Sequence, residues 1–398
     1  MSVPAIATFN TGSSSLKFSL YRAGDDGLAE RLLGGTLTGL GKTLKVVTEP
    51  HDATLQRQLS AALSQVDPVP ECLIPELARC LSAAVEGTEL VAAGHRIVHG
   101  GQTCDGPRLA TPQLLDTLDE LSIFALDHQP FNLAGVRSMA KQFPGLPQSL
   151  SFDTAFHRTQ PREARLYALP RALTASGLQR YGFHGLSYAY ISNNLVETFC
   201  DLPHRKTIVA HLGNGASLCA MQDGTSIATS MGLTALSGVP MATRCGDLDP
   251  GAVLYLIGSQ KMTPGEVSDM LHHQSGLLGV SGISSDIRDL LASPAPEAEE
   301  ALNVYTYRIA REIGSLTAAL HGLDAIVFTG GVGENSQEIR RRICARLSWM
   351  GTDLDGTLNE SGAGVISAQH SNIAVAVVPA NEEEVIAREA FSLLRDTA

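Results

Sequence analysis

The sequence predicts an α/β protein built from two similar domains. Three observations predict it. At 398 residues the chain exceeds what one hydrophobic core usually fills, so two domains are expected. A segment near the N-terminus, AIATFNTGSSSLKFSL, is echoed near the middle by KTIVAHLGNGASLCAM. In both, an apolar strand passes through a polar residue and a Gly-containing turn into a second apolar strand, with Asn10-Thr11-Gly12-Ser13 aligned on His211-Leu212-Gly213-Asn214. Such a repeat implies two domains that each open on a β-hairpin and face a common cleft, although two unrelated hairpins would read the same way. Finally, apolar strands leave through glycine-rich turns three times: at Gly12, at Gly213 and Gly215, and at Gly330, Gly331 and Gly333.

Taken in order, AIATF gives way at Gly12 to Leu16, Phe18 and Leu20, which alternate with Lys17 and Ser19 as in a half-buried strand. Residues from about Tyr21 to Glu49 predict further antiparallel strand and turn. His51 to Val85 is Leu/Ala-rich and predicts helix, broken at Pro68, Pro70 and Pro75. Glu89 to Ala93 predicts a strand entering GHRIVHGG. Thr111, as N-cap, and Pro112, at the first helical position, open a helix to Ala125. Asp127 to Phe131 breaks it, and a second helix runs from about Asn132 to Gln142. PQSLSFD predicts a strand leading into DTAFH; the turn RYGFHGLS precedes a helix near Tyr188 to Phe199. Beyond the second hairpin, DGTSIATSMGLTALSGVPMATRCGDLDPG reads as a loop carrying Arg244, Asp247 and Asp249. Helices are expected at Ala252 to Ile257, Pro264 to His272 and Glu297 to Leu320, with Ser285 or Asp286 capping a helix start in SGISSDIRDL. Asp324 to Phe328 is a buried strand that opens into TGGVGENS and a helix from about Gln337 to Leu347. AVAVVP is the last strand, before ANEEEVIAREAF opens the final helix.

Composition excludes several classes. The net charge of −12 argues against a nucleic-acid partner or an anionic membrane surface, so any anion site must be a local basic focus. Seven scattered cysteines without a C-x-x-C pair suit reduced thiols in a cytoplasmic protein better than a disulfide frame or a zinc site. MSVPAIATFN lacks a basic n-region and a long apolar core, so no signal peptide is expected. No stretch approaches the roughly 18 apolar residues of a membrane span.

Strand, Gly/Ser turn, strand closes backbone N–H groups, hydroxyls and Lys17 around a phosphate, although an ordinary polar hairpin needs the same residues. It is not a Walker loop, and Gly41-Lys42-Thr43 fails as one because Thr36 stands where the first glycine belongs. Strand, Gly-rich turn, helix at TGGVGENS suits a nucleotide phosphate, and three such exits in one chain favour a nucleotide cleft. Lys17, Arg96 and Arg244 lie in loops of small residues that allow close approach of an anion. His95, His99, His128, His157 and His184 show no metal spacing; His184, between Gly182 and Gly185, is the best functional donor among them.

NTGSSSLKFSL, GHRIVHGG, SFDTAFH, RYGFHG, HLGNGASL, TSMGLT, MATRCGDLDPG, SSDIRDL, FTGGVGENS and PANEEEVIARE stand in the order of one family. Nearly end to end, the chain resembles the acetate kinases, of the superfamily that joins acetate and sugar kinases, heat-shock chaperone ATPases and actin. The resemblance implies two duplicated actin-like β/α domains around a central nucleotide cleft. It sets an N-terminal domain at 1–152, with the helix 386–398 packing on it, and a C-terminal nucleotide-binding domain at 153–385. It implies reversible transfer of the γ-phosphoryl group of ATP to acetate with Mg²⁺, or Mn²⁺ in its place, in a cytoplasmic homodimer.

Roles carry over by position. Asn10 and Glu382 match residues associated with the metal. Ser13, Ser15 and Lys17 match the first phosphate loop, and His211, Leu212, Gly213, Asn214 and Gly215 the second. Arg96 matches the carboxylate-binding arginine, with Val98 and Phe183 as apolar walls. Asp153 matches the cleft aspartate, and His184 and Arg244 match the transition-state stabilisers. Asp286, Ile287 and Arg288 match adenosine contacts, and Gly331, Val332, Gly333, Glu334 and Asn335 the loop beneath the nucleotide. The chain departs from the family at Asp127, in place of leucine, and Ala235, in place of a proline that helps wall the acyl pocket. A propionate or other short-chain acyl kinase is therefore kept as an alternative, and a nucleotide-binding chaperone or scaffold as a more remote one.

Overall fold

A computed structural model describes residues 3–12, 15–24, 27–198, 206–362 and 364–397. The chain divides into two compact units. One runs to Phe156 and resumes at Asn381; the other spans His157–Ala380.

The first unit is built on a seven-stranded sheet. Its strands are β1 (Val3–Thr11), β2 (Ser15–Ala23), β3 (Leu28–Thr38), β4 (Lys45–Glu49), β5 (Thr88–Ile97), β6 (Arg108–Leu109) and β7 (Gln148–Phe152), in the order β4-β3-β2-β1-β5-β7-β6. β1 and β2 form the expected hairpin, with Asn10 opposite Lys17. β5 lies parallel to both β1 and β7. The stretch expected to be helix broken by prolines is two helices, Ala53–Leu63 and Pro70–Ala84. Pro70 starts the second, where its missing N–H costs nothing. Pro75 does not break it: Leu73, Ile74, Leu77, Ala78 and Leu81 form one buried stripe. Burial at about 1.5–3 kcal/mol per large side chain outweighs the roughly 3 kcal/mol of an internal proline. The helix expected from Asn132 begins earlier, at Gln129, with Pro130 again in the first turn.

The last helix, Glu382–Thr397, packs on β1, β5 and β7 of this unit. Gly94 permits the approach, because a Cβ there would lie 2.5 Å from Ile386 Cγ2.

The second unit has a six-stranded sheet: β8 (Lys206–Leu212), β9 (Ala216–Gln222), β10 (Thr225–Thr229), β11 (Ala325–Thr329), β12 (Gly364–Val365) and β13 (Ala374–Val377), in the order β10-β9-β8-β11-β13-β12. Its path β10-β9-β8-β11-β13 repeats β3-β2-β1-β5-β7: an antiparallel hairpin and its neighbour, then two parallel strands. The expected loop at DGTSIATS holds β10, whose five residues are too short to announce themselves by alternation. The helix Pro296–Leu320 buries Leu302, Tyr305, Ile309, Ile313 and Leu316 and packs on β8, β9 and β10.

Two half-buried acids carry a pH signature. Burial raises the Glu389 carboxyl from 4.5 to about 7, with Ser151 working the other way, and its Oε2 has no hydrogen-bond partner. Glu312 is likewise raised to about 7, by burial and then by Asp247, with Arg180 and Arg311 opposing. Between these values the unfolded chain has released a proton that the folded chain still holds, so stability falls as pH rises from about 4.5 to 7 and levels off above. Glu389→Gln should remove its share of that fall, on the order of 3 kcal/mol at pH 8 and nothing at pH 4. Urea unfolding of both proteins at the two pH values checks this; equal differences at both would exclude it.

Candidate active site

In the first unit the C-terminal ends of three neighbouring parallel strands carry the polar groups: Asn10 and Thr11 on β1, Arg96 on β5, and Asp153 directly after β7. In open α/β sheets this is the end where ligands collect. Arg96 Nε donates to Asp153 Oδ1 at 2.9 Å and Nη2 to Oδ2 at 2.6 Å. The side chains are 14% and 2% exposed. Burial works against the charge on Arg96, but Asp153, with Glu382 and Glu383 behind it, outweighs burial and holds the guanidinium above its ordinary value. Arg96 Nη1 lies 3.4 Å from both Asn10 Oδ1 and Thr11 O. Its Nε–Nη2 edge is therefore taken by Asp153, while Nη1 makes only the two longer contacts.

Asn10 Nδ2 donates to Glu382 Oε2 at 2.7 Å and to Glu383 Oε1 at 2.9 Å. Glu383 was not anticipated as a site residue. Its signal in the sequence is the run Glu382-Glu383-Glu384, which reads equally well as an acidic first helical turn. Burial raises the Glu383 carboxyl; Lys17 opposes this, and Glu382 adds to it. Lys17 is exposed, Ser15 opens β2, and Val98 is buried just beyond β5. Ser13 lies outside the described residues. Among the described residues no three His, Cys, Asp or Glu side chains form a metal cage. Glu382 and Asn10 carry oxygen donors of the kind a hard dication takes, but here Asn10 turns its amide nitrogen to Glu382 and its oxygen to Arg96.

In the second unit the turn after β8 meets the turn after β11. A Cβ on Gly213 would lie 3.9 Å from Gly331 N, and one on Gly330, at φ +76°, would lie 2.7 Å from Leu212 O. The glycines thus let two strand exits touch. The expected Gly-rich turn is a short helix, Gly330–Asn335. Glu334 holds it in place, its Oε1 accepting from Gly330 N at 2.9 Å and from Ala380 N at 3.2 Å. Asn335 donates to Gly331 O at 2.9 Å, and Val332 is half-buried.

His184 and Arg244 converge on the same place. A Cβ on Gly215 would lie 3.3 Å from His184 Nε2 and 3.6 Å from Arg244 Nη1. Arg244 Nη1 donates to Ala235 O at 3.2 Å, and Ala242 N to Asn214 O at 3.2 Å, which fixes the arginine loop to the turn. His184 has φ +58° and stacks on His211, with centroids 4.2 Å apart. Phe183, beside it, is buried. Asp286 caps the helix Ile287–Ala292 and pairs with exposed Arg288 at 2.5 Å, while Ile287 is buried.

Residues 5–388 match the model of the Acetokinase family. The chain belongs to the acetokinase family. It is 46% identical to an acetate kinase of Rhodopseudomonas palustris over 98% of each chain. The crystal structure of Porphyromonas gingivalis acetate kinase matches with a TM-score of 0.81 and 33% identity, over 98% of this chain and 100% of that one. That of a propionate kinase from Francisella tularensis gives 0.82 and 34%, over 98% and 99%. The fold is that of the actin-like ATPases. No helix among the described residues is long and apolar enough to cross a membrane.

The buried pair sets a prediction. Asp153→Asn leaves the Arg96 charge facing a neutral partner and should cost about 2–4 kcal/mol of stability. Arg96→Met in the same background should recover much of it. Denaturant titration of the single and double variants would show this, and additive losses would mean that the pair is not coupled.

Proposed function

We propose that the chain transfers the γ-phosphoryl group of ATP to acetate by direct in-line displacement, giving acetyl phosphate and ADP reversibly. Membership of the acetokinase family over residues 5–388 carries this reading. A carboxylate acceptor is already ionised at neutral pH, so no general base is needed. The protein must align the reactants and neutralise charge on the transferring group. Arg96 takes the acetate carboxylate on its Nη1–Nη2 end, and Asp153 orients Arg96 from the other edge. Arg244 and His184 meet the equatorial oxygens of a metaphosphate-like transition state. Ser13, Ser15, Lys17 and the turn 211–215 receive phosphate oxygens. The segment Gly331–Asn335 and the pair Asp286 and Arg288 receive the rest of the nucleotide. Val98 and Phe183 wall the methyl group.

Mg²⁺, or Mn²⁺, is part of this proposal. Glu382 and Asn10 would hold it, and it would supply charge neutralisation at the phosphate oxygens. A homodimer is proposed as well, supported by the helix Pro250–Gly258, which has no buried residue and exposes Leu254, Tyr255 and Ile257. Cytoplasmic residence is supported by the free thiols of Cys72, Cys80, Cys219, Cys245 and Cys344.

Trapping acyl phosphate as the hydroxamate from ATP, Mg²⁺ and acetate tests the reaction. Arg244→Ala and His184→Ala should each lower kcat on the order of 10²-fold while changing KM for ATP little. Near-normal kcat in both would remove them from the mechanism.

A wider acyl range is the second reading, favoured by Ala235 beside Arg244. One methylene in an apolar pocket is worth about 10- to 200-fold in kcat/KM. With the proline ring absent, propionate should be used within about tenfold of acetate. Ala235→Pro, which keeps the carbonyl that Arg244 uses, should widen the gap. Acetate, propionate and butyrate kinetics on both proteins decide it; a preference of several hundredfold that the substitution leaves unchanged would show that another residue closes the pocket.

A further inference from the structure

His184 is held from behind by a chain of hydroxyls. Its Nδ1 lies 2.8 Å from Ser217 Oγ, and Ser217 Oγ lies 2.5 Å from the Tyr188 hydroxyl. Ser217 and Tyr188 are fully buried. Burial, followed by Cys219, pushes the Tyr188 phenol well above its ordinary value, while Ser217 acts against the rise. The phenol therefore keeps its proton at any working pH. Either hydroxyl can donate to the other; with the Tyr188 proton given to Ser217, the Ser217 proton is left for His184 Nδ1. A neutral imidazole that accepts at Nδ1 carries its proton on Nε2. Nε2 is the atom that faces Gly215, on the same spot as Arg244 Nη1.

The backbone is fixed from a second direction. His157 Nε2 lies 3.0 Å from Phe183 O, the carbonyl next to His184, and His157 Nδ1 lies 2.9 Å from Ser226 Oγ. A carbonyl only accepts, so Nε2 of His157 is its protonated atom. Burial lowers His157 to about 4, so the ring is neutral at pH 7. It holds a backbone that carries a non-glycine residue at φ +58°.

We propose that Ser217 and Tyr188 are positioning residues for phosphoryl transfer: they hold His184 in the Nε2–H tautomer, so that the ring presents a hydrogen-bond donor at Nε2 to the transferring group. The proposal rests on the assignment of His184 as a stabiliser of that group. It explains why a serine is buried opposite His211 in the β8–β9 register, where the hairpin alone would accept any small residue.

Long-range ¹H–¹⁵N spectra of the imidazole rings, assigned with His184→Gln, test it on the full chain. In the wild-type protein at pH 8, His184 should show the Nε2–H pattern; an Nδ1–H pattern would overturn the proposal without any variant. In Ser217→Ala the pattern should move toward a tautomer mixture and kcat should fall roughly tenfold, with KM for ATP within about twofold. Tyr188→Phe should give a smaller shift of the same kind, and Ser217→Thr, which keeps the hydroxyl, should restore the Nε2–H pattern. A folded Ser217→Ala protein with unchanged tautomer and unchanged kcat would also overturn it. Normal kcat in His184→Ala would instead sink the assignment of His184 itself, while the tautomer pattern would still report whether the hydroxyl chain sets the ring.

Discussion

The first unit depends on a contact between the two ends of the chain. The Asn10 amide donates to the carboxylates of both Glu382 and Glu383, across 372 and 373 residues of sequence. Without that bridge two like charges would face one another in a buried place, eased chiefly by Lys17. With it, the first turn of the last helix is fixed at the exit of β1, and the rest of the helix lies along β1, β5 and β7. The last helix thus completes the first unit's core and brings carboxylates to its polar end in one step. Gly94 sets the closeness of this docking; any side chain there would push Ile386, and with it the acidic turn, away from Asn10.

A chain of net charge −12 that handles anionic substrates must concentrate its cations. Arg96 is not left as bare charge. Asp153 holds it from one edge, which fixes its plane and lowers the cost of burying it. In the proposed reaction, the acceptor carboxylate would meet an oriented guanidinium. The same carboxylate could have been read as a base, but an aspartate already committed to a guanidinium through both oxygens is a poor proton acceptor.

Much of this was legible in the sequence where the signal was local. Alternation in SLKFSL and the apolar run of KTIVAHL located both hairpins, and Thr111 with Pro112 located a helix start. The misses were of two kinds. Short elements escaped: β10 has five residues, and Gly330–Asn335 forms a helix despite three glycines that each disfavour one by about 1 kcal/mol. Its stability comes from Glu334, which binds backbone N–H groups at Gly330 and Ala380, a partnership no local pattern encodes. Long-range polar contacts escaped as well. Asn10, Arg96 and Asp153 were singled out by motif, and the structure brings them together. Glu383, Ser217 and Tyr188 stand in segments that read as acidic cap, strand and helix. Only the folded register shows what their oxygens touch.

The two sheets set different polar groups on one strand order. In each, an antiparallel hairpin is followed by two parallel strands, and the same turn of the hairpin lies at the polar end. At corresponding places the first unit sets Asn10 against Lys17, and the second sets His211 against Ser217. The Asn10 amide, opposite the Lys17 ammonium, gathers the carboxylates of Glu382 and Glu383. An imidazole opposite a hydroxyl gathers a second imidazole by stacking and leaves the serine to orient it. The exits are not interchangeable, because there a single side chain decides which charge the site can hold. The polar groups that set the two units apart stand on the last residues of strands and on the turns that follow them.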